Sequence, residues 1–274
     1  MDERKGERSI VWNDWHEFGI EYGFSLRGGG VSQPPFQSLN LGLHVGDQID
    51  DVVENRRRLC VEIGVPFESW TIAEQVHGTN VHHVRAENRG KGRVSREDAI
   101  PDTDALICNQ TNLLLTAVFA DCVPIWFLDR KQKAIAIAHA GWRGTVAGVS
   151  TETIFNMQRI FGTDLNDLQV KIGPSIGGCC YEVDHLVAES VYQTIEGWPK
   201  KIKDTIILQG NRSDRWYLDL KVLNRQIMIE RGVPSANIRQ STACTSCDTR
   251  RFFSHRAEQG RTGRMAAWII RKSE

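Results

Sequence analysis

The sequence of 274 residues predicts a mixed α+β fold, or an α/β fold with a mixed sheet, built as a single domain over residues 1–274. It contains short apolar runs rich in β-forming residues, and amphipathic stretches whose apolar residues recur at helical spacing. The two kinds of segment do not alternate strictly, which argues against a doubly wound parallel sheet. The polar segment 86–104 contains Gly and Pro, and we expect it to be an exposed loop rather than a domain linker.

Each predicted element has its own signal in the sequence. The first helix, at 50–66, begins with two acidic residues and ends in Gly-Val-Pro, which are start and stop signals of a helix. The spacing of apolar residues predicts further helices at 149–161, 183–195 and 218–234. Apolar runs rich in β-formers predict strands at 69–78, 80–84, 104–108, 113–120, 122–128, 133–140, 168–173 and 264–270.

The charge balance limits the classes of partner. Lys and Arg together number 34, and Asp and Glu together also number 34. The chain therefore has no overall positive field that would attract nucleic acid or an anionic membrane, and any anion site must be local. The N-terminal stretch is charged, and no run approaches the roughly 18 apolar residues of a membrane span. We expect a cytoplasmic protein, monomeric or homodimeric, that binds neither nucleic acid nor membrane. Seven cysteines, an odd number, predict mostly reduced thiols.

Cys122 and His139 lie in two apolar runs joined by a charged loop. If these runs form a hairpin with its turn centred between Arg130 and Lys131, Cys122 lies directly opposite His139. Opposite residues of an antiparallel pair share a face, with Cβ atoms roughly 4.5 to 5.5 Å apart. The pair is then close enough to bind one metal ion or to share a proton. Pro124 predicts an edge strand or a position that donates no ladder hydrogen bond.

Six motifs follow one another along the chain: EQVHG (74–78), TDALIC (103–108), ADCVPI (120–125), AHAGWRG (138–144), GPSIGGCCYEV (173–183) and FFSHRAEQGRTGRMAAWI (252–269). Together they resemble the YlmD/YfiH family, described as laccase domain or polyphenol oxidase-like proteins and as purine nucleoside phosphorylases. The likeness runs from about SLNLGLHVGD (38–47) to the C-terminus. It implies a layered α/β/β/α fold, shared distantly with bacterial toxin deamidases.

The resemblance also implies a metal site and an activity. The zinc ligands of the family fall on His77, Cys122 and His139 of this sequence. The implied reaction is phosphorolysis of adenosine, inosine, guanosine and methylthioadenosine to the free base and the sugar 1-phosphate, with adenosine deaminase as a side activity. Two imidazoles and one thiolate fit a catalytic zinc with an open fourth position, at which bound water can become hydroxide near neutral pH. Copper, Cu²⁺, is expected to bind the same ligands.

Phosphorolysis also requires groups that bind phosphate and nucleoside. Arg143 is the first candidate for phosphate, because a guanidinium can bind two phosphate oxygens at once, and Arg256 is the second. Asn40 and His44 match a further family motif and are candidates for hydrogen bonds to the ribose or the base. Asp121 is expected either to orient a ligand imidazole or to cap a strand end.

Three other functions remain open at this point. A cysteine hydrolase or deamidase needs Cys122 as nucleophile and His139 as base, and for that chemistry His77 is superfluous. A multicopper phenol oxidase needs many histidines in closely spaced pairs, whereas this chain has eight and no His-X-His. A partner-binding domain has no positive support in the sequence.

The remaining cysteines form two short motifs, CTSC (244–247) and the adjacent pair Cys179 and Cys180. The CxxC spacing occurs in zinc ribbons, which need a second such pair. The adjacent cysteines can complete a four-cysteine site only if the two turns meet in the fold. We expect reduced thiols here, with Cys180 near the active site.

Overall fold

Two six-stranded sheets packed face to face form the centre of the computed structural model, which describes residues 3–273. The strands of the two sheets, in chain order, are β1 (Glu3–Lys5), β2 (Ser9–Trp12), β3 (Ile20–Ser25), β4 (Trp70–Ile72), β5 (Val81–His83), β6 (Ala105–Cys108), β7 (Leu114–Phe119), β8 (Val123–Asp129), β9 (Ala134–Ala140), β10 (Leu168–Ile172), β14 (Ile238–Gln240) and β15 (Met265–Arg271). The first sheet has the order β1-β2-β3-β15-β7-β4, and the second has the order β14-β10-β8-β9-β6-β5.

Helices cover the outer faces of both sheets. They are α1 (Ile49–Glu62), α2 (Trp142–Ala147), α3 (Val149–Phe161), α4 (His185–Thr194), α5 (Lys200–Ile206) and α6 (Leu220–Glu230). A third, three-stranded sheet, in the order β11-β13-β12, consists of β11 (Glu182–Val183), β12 (Ile207–Gln209) and β13 (Trp216–Leu218). None of the helices described within residues 3–273 is long and apolar enough to cross a membrane.

The layers are held by three apolar cores. Along β8, Trp126 and Leu128 face the first sheet, whereas Ile125 and Phe127 face the helices on the other side, as the period of two in a strand requires. A third core lies outside the first sheet, where Leu59 of α1 packs. The structure therefore confirms the mixed α+β prediction and the layered α/β/β/α arrangement.

Two connections cross from the first sheet to the second and meet at one end of the sandwich. Residues 73–80 join β4 to β5, and residues 120–122 join β7 to β8. The predicted strands 69–78 and 80–84 are thus shorter than expected and belong to different sheets. The crossing connections carry His77 and Cys122, so this end of the sandwich is where the predicted site residues gather.

The predicted register of the β8–β9 hairpin was wrong. The strands do pair, but the loop spans residues 130–133, and His139 lies opposite Pro124 rather than opposite Cys122. The shift amounts to two residues along one strand, so it keeps Cys122 on the face predicted for it. β8 is a central strand, so the prediction of an edge strand was wrong. Pro124 lies where the neighbouring β10 ends, and its carbonyl accepts a hydrogen bond from the N–H of Gly173.

Candidate active site

Three potential metal donors from three parts of the chain meet at the open end of the sandwich. His77 lies in the β4–β5 connection, Cys122 immediately precedes β8, and His139 is near the end of β9. Their donor atoms all lie within 4.8 Å of one another, and Cys122 Sγ is 4.0 Å from His77 Nε2. The two imidazole rings meet edge to face, with centroids 4.8 Å apart. We call this group the His-Cys-His triad.

Asp104 holds two members of the triad in place. Its fully buried carboxylate lies 2.8 Å from His139 Nδ1 and accepts the backbone N–H groups of Val76, His77 and Gly78 at 3.2, 3.0 and 2.7 Å. The bond to Nδ1 directs His139 Nε2 towards the triad, as carboxylate partners of metal-ligating histidines do. Burial opposes ionisation of Asp104, but the bond to His139, the charge of His139 and the backbone N–H groups together outweigh it and lower the pKa of the carboxyl.

The backbone of His77 adopts a left-handed conformation, with φ of 62°. This region is uncommon for residues other than glycine, and a site must stabilise it with other contacts. The three backbone bonds to Asp104 do so, because they fix the chain on both sides of His77. The exposed imidazole of His77 is thereby aimed at Cys122.

Gly141 leaves the space that the triad needs. A Cβ atom at this position would lie 2.8 Å from His77 Cδ2 and 3.2 Å from Cys122 Sγ. Any larger residue would therefore push into the gap between these two donors. The glycine keeps open a volume next to two nitrogen donors and one sulfur donor.

Cys122 and His139 stabilise each other's charged forms. Burial opposes charge on both, but the imidazoles of His139 and His77 outweigh it and lower the pKa of Cys122 to about 6. Burial likewise favours neutral His139, but the Cys122 thiolate and Asp104 raise its pKa to about 9. The pair can thus hold a thiolate near neutral pH, the form in which cysteine binds metals and attacks electrophiles.

The triad opens into a cavity of about 500 Å³, which is in the range of small-molecule sites. Its walls combine apolar residues such as Ile72 and Val118 with aromatic Tyr181 and Trp142. Gln75, beside His77, also lines it and bonds to the backbone of Val118.

Five arginines line the cavity. Arg96 pairs with Glu74, and Arg56 donates to buried backbone carbonyls, which leaves three others as candidates for binding an anion. Arg143 stacks on Trp142, with 4.6 Å from guanidinium carbon to ring centroid, and Arg256 lies 5.2 Å from the ring centroid of Tyr181. Arg264 is bonded to the carbonyls of Thr262 and Gly263. Within residues 3–273, no carboxylate lies at ion-pair distance from these three guanidinium groups. A chain without net charge thus has a cationic cavity beside the triad.

The other predicted site residues differ in position. His44 lines the cavity, and burial, followed by the nearby Arg264, lowers its pKa to about 4, so it is neutral at pH 7. Asn40 is buried and does not line the cavity: its side-chain oxygen accepts the N–H groups of Gly42 and Arg264, and its amide donates to Asp47. These bonds give Asn40 a role in holding the turn after it and correct its assignment as a ligand-binding group.

Asp121 stabilises the loops around the cavity rather than an imidazole. Its carboxylate accepts the hydroxyls of Thr245 and Ser254 at 2.6 and 3.0 Å and the backbone N–H of Arg256 at 2.7 Å. The carboxylate that bonds to an imidazole of the triad is instead that of Asp104, which lies in the TDALIC motif and was not singled out from the sequence. Arg264 was also missed. It lies in a quoted motif, but nothing in its local pattern distinguishes it from a surface arginine.

Comparisons with known proteins agree on one family. Residues 21–272 match the family described as multi-copper polyphenol oxidoreductase laccase. The purine nucleoside phosphorylase YlmD of Geobacillus stearothermophilus is 41% identical over 256 residues, covering 93% of this chain and 92% of that protein. The protein of the same name from Bacillus subtilis is 39% identical, covering 90% and 87%.

Solved structures show the same relationship. The crystal structure of YlmD from Geobacillus stearothermophilus superposes with a TM-score of 0.93 at 38% identity, covering 98% of both chains. That of the hypothetical protein YfiH from Bacillus licheniformis gives 0.92 at 36% identity, covering 98% of this chain and 99% of that one. Fold, motifs and sequence identity together place this chain in the laccase-domain family that includes the YlmD and YfiH proteins.

Proposed function

We propose that this protein is a zinc-dependent purine nucleoside phosphorylase that converts adenosine, inosine, guanosine or methylthioadenosine and phosphate to the free base and the sugar 1-phosphate. The observation that carries the proposal is the His-Cys-His triad opening into a cavity lined by five arginines, among which Arg143, Arg256 and Arg264 form no ion pair with a carboxylate of residues 3–273. The names of the relatives that cover most of this chain support the reaction class. A purely structural protein needs neither a group of arginines around a cavity nor three metal donors beside it.

The donor set fits a catalytic metal. Two imidazole nitrogens and one thiolate sulfur suit zinc with an open position, and Asp104 gives His139 the tautomer that a ligand needs. Gly141 keeps the space between the donors free. When bound, zinc would supply a Lewis-acid charge next to the substrate. Copper is the alternative metal, because it binds such ligands more tightly than zinc does.

Phosphate would bind to the arginines. Arg143 stacks on Trp142 with its guanidinium exposed to the cavity, which orients a fork of N–H donors for two phosphate oxygens. Arg256 and Arg264, both in the C-terminal motif at 252–269, add further positive charge to the cavity wall. In the reaction, a phosphate oxygen forms a bond to C1′ of the ribose while the bond from C1′ to the base nitrogen breaks. The bonding electrons leave with the base, which takes up the proton that the attacking hydrogen phosphate gives up.

The chain's other groups would position the nucleoside. Neutral His44 can donate a hydrogen bond with one ring nitrogen and accept one with the other, which suits ribose hydroxyls or the base edge. Ile72 and Val118 provide an apolar surface of the cavity against which the purine ring can pack.

The test is product analysis with zinc-loaded protein, adenosine and phosphate, using chromatography to separate adenine, ribose 1-phosphate and inosine. Cys122→Ala and His77→Ala should each abolish phosphorolysis, whereas His185→Ala, which alters an exposed histidine on α4, should not. Inosine formed without phosphate, and lost in the same two variants, would add the deaminase activity. If the wild type forms no sugar 1-phosphate from any of the four nucleosides, the proposal fails.

One specific observation favours a second candidate, a cysteine hydrolase or deamidase. Asp104, His139 and Cys122 form a chain of acid, base and thiol in the order that nucleophilic catalysis uses. His77 separates the two functions. His77→Ala should spare a thiol hydrolase acting on amides and should impair a zinc enzyme, and a chelator should discriminate in the same way.

The family description names polyphenol oxidoreductases, so phenol oxidation is a further candidate. The donor atoms of the His-Cys-His triad do not fit a multicopper centre. Groups of three or more potential ligands occur at two places within residues 3–273, and of these only the triad contains histidine. A four-copper centre needs many more imidazoles at one place than the triad offers. Copper-loaded protein should therefore oxidise phenols slowly or not at all.

A further inference from the structure

Four cysteines outside the candidate active site meet in one group. Cys179 and Cys180 lie in a turn between β10 and β11, and Cys244 and Cys247 lie in a turn after β14. Because β10 and β14 are parallel neighbours, the chain leaves both strands at the same end of the sheet. The four Sγ atoms all lie within 4.8 Å of one another. The two pairs that the sequence left apart thus form one group, the cysteine cluster.

We propose that the cysteine cluster binds a structural zinc ion through all four thiolates. Zn–S bonds of about 2.3 Å in a tetrahedron place sulfur atoms about 3.8 Å apart. Cys247 Sγ lies 3.6 Å from Cys179 Sγ and 3.3 Å from Cys180 Sγ, close to this spacing. Four thiolates leave no open position on zinc, which is the arrangement of structural rather than catalytic sites.

A buried positive charge beside the cluster supports the proposal. Lys221 of α6 is 3% exposed, and its ammonium donates to the carbonyl of Ala243, next to Cys244. Within residues 3–273, no carboxylate lies at ion-pair distance from Lys221. A buried charge without an ion-pair partner is costly, and the nearby carboxylate of Asp219 offsets only part of that cost, because burial still lowers the pKa of Lys221. A zinc ion with four thiolates carries a net negative charge and would supply the missing partner.

The backbone around the cluster is already arranged for ligands. The N–H of Gly177 donates to Cys244 Sγ at 3.2 Å, as backbone groups do to anionic sulfur. Ser175 forms a β-bridge with Cys244, and the N–H of Thr245 donates to the carbonyl of Ser175 at 3.1 Å. These bonds hold the two turns side by side independently of the sulfur atoms. The site is therefore largely formed before the metal binds.

Zinc in the cluster would stabilise one wall of the cavity. Ile176 and Tyr181 flank Cys179 and Cys180 and line the cavity. Thr245, between the other two cysteines, donates to the carboxylate of Asp121, the residue before Cys122. The metal thus acts at a distance on the position of the wall, whatever reaction the cavity catalyses.

The first test is the zinc content of the purified protein, measured by mass spectrometry of the metal. The wild type and a Cys108→Ala control should hold two zinc ions per chain. Cys244→Ser/Cys247→Ser and His77→Ala/Cys122→Ala should each hold one. The latter variant, loaded with cobalt, should show the intense absorption of a tetrathiolate site. Absence of metal from that variant would overturn the proposal without bearing on phosphorylase activity.

The second test needs no variant and therefore does not depend on folding of a mutant. Native wild-type protein is treated with a thiol-alkylating reagent before and after chelation of zinc, and the modified cysteines are mapped by peptide mass. The four cluster cysteines should be protected at first and should all become reactive after chelation. Free thiols from the start, or a mass two hydrogens lower that marks a disulfide, would contradict the proposal.

Discussion

Replacement of Asp104 by Asn should weaken both the fold near the active site and metal binding by the triad. The carboxylate has four donors, two at each oxygen: His77 N–H and His139 at Oδ1, and the N–H groups of Val76 and Gly78 at Oδ2. An amide keeps one oxygen and turns an NH₂ group towards the other two donors. Whichever way it is oriented, two donors lose their acceptor.

The size of the effect follows from the exposure of those donors. A buried donor without a partner costs about 1–3 kcal/mol, so two cost roughly 2–6 kcal/mol. The best orientation keeps oxygen towards His139, and the N–H groups of Val76 and Gly78 then lie in a partly exposed loop that water can reach. We therefore expect about 2–3 kcal/mol of lost unfolding free energy. Loss of the partner of a ligand imidazole should also weaken zinc affinity about 10- to 100-fold.

The assay combines urea unfolding with competition for zinc by a coloured chelator. Asp102→Asn is the matched control, because Asp102 lies two residues away and, among the described residues 3–273, bonds only to the exposed Asn80. The control should change the unfolding free energy by less than about 0.5 kcal/mol, the usual range for surface substitutions. If Asp104→Asn behaves like the control in both measurements, the carboxylate does not organise the triad.

Three further predictions concern the triad and the cavity. In zinc-free protein, alkylation of Cys122 should rise with pH around a midpoint near 6, since the thiolate reacts. His139→Ala should raise this midpoint towards the ordinary value of about 8.5, because only His77 then stabilises the thiolate, and an unchanged midpoint would exclude the ion pair. Gly141→Ala should weaken zinc binding at least about tenfold in chelator competition, because the added Cβ enters the space between two donors. Gly28→Ala is the control, since its Cβ would meet nothing within 4 Å, and equal zinc affinities of the two variants would refute the steric argument. Arg143→Met should raise KM for phosphate about 10- to 100-fold in steady-state assays, since it removes charge-assisted bonds to phosphate. KM for the nucleoside should stay nearly unchanged, and a parallel rise in the two KM values would count against this role of Arg143.

Local patterns were sufficient for most of the elements. The acidic start and Gly-Val-Pro end bounded α1, and apolar spacing located α3, α4 and α6 to within a few residues. The apolar runs located β6 to β10 and β15 equally well. These signals act between residues close in sequence, because helix capping and side-chain alternation depend on a few neighbouring positions.

Local patterns failed where a contact depends on distant segments. The register of the β8–β9 hairpin depends on a four-residue loop and on pairing with β6 and β10, so the centre chosen from the sequence was displaced. Asp104 lies 27 residues from His77 and 35 from His139, and no local pattern marks it as their common partner. Asn40 has the residue type of a ligand-binding group, but its hydrogen bonds to distant Arg264 place it in the interior.

The sequence by itself determined the kinds of chemistry available: a neutral chain, seven cysteines, an ordered set of family motifs, and histidine and cysteine residues placed next to strand ends. Only the tertiary structure decided which of these side chains meet. The two connections that cross between the sheets bring His77 and Cys122 to His139, and the parallel pairing of β10 with β14 gathers four cysteines. The physical reason is that packing the apolar faces of two sheets sets where strands end. The polar residues at those ends are then brought together at distances that sequence separation does not predict.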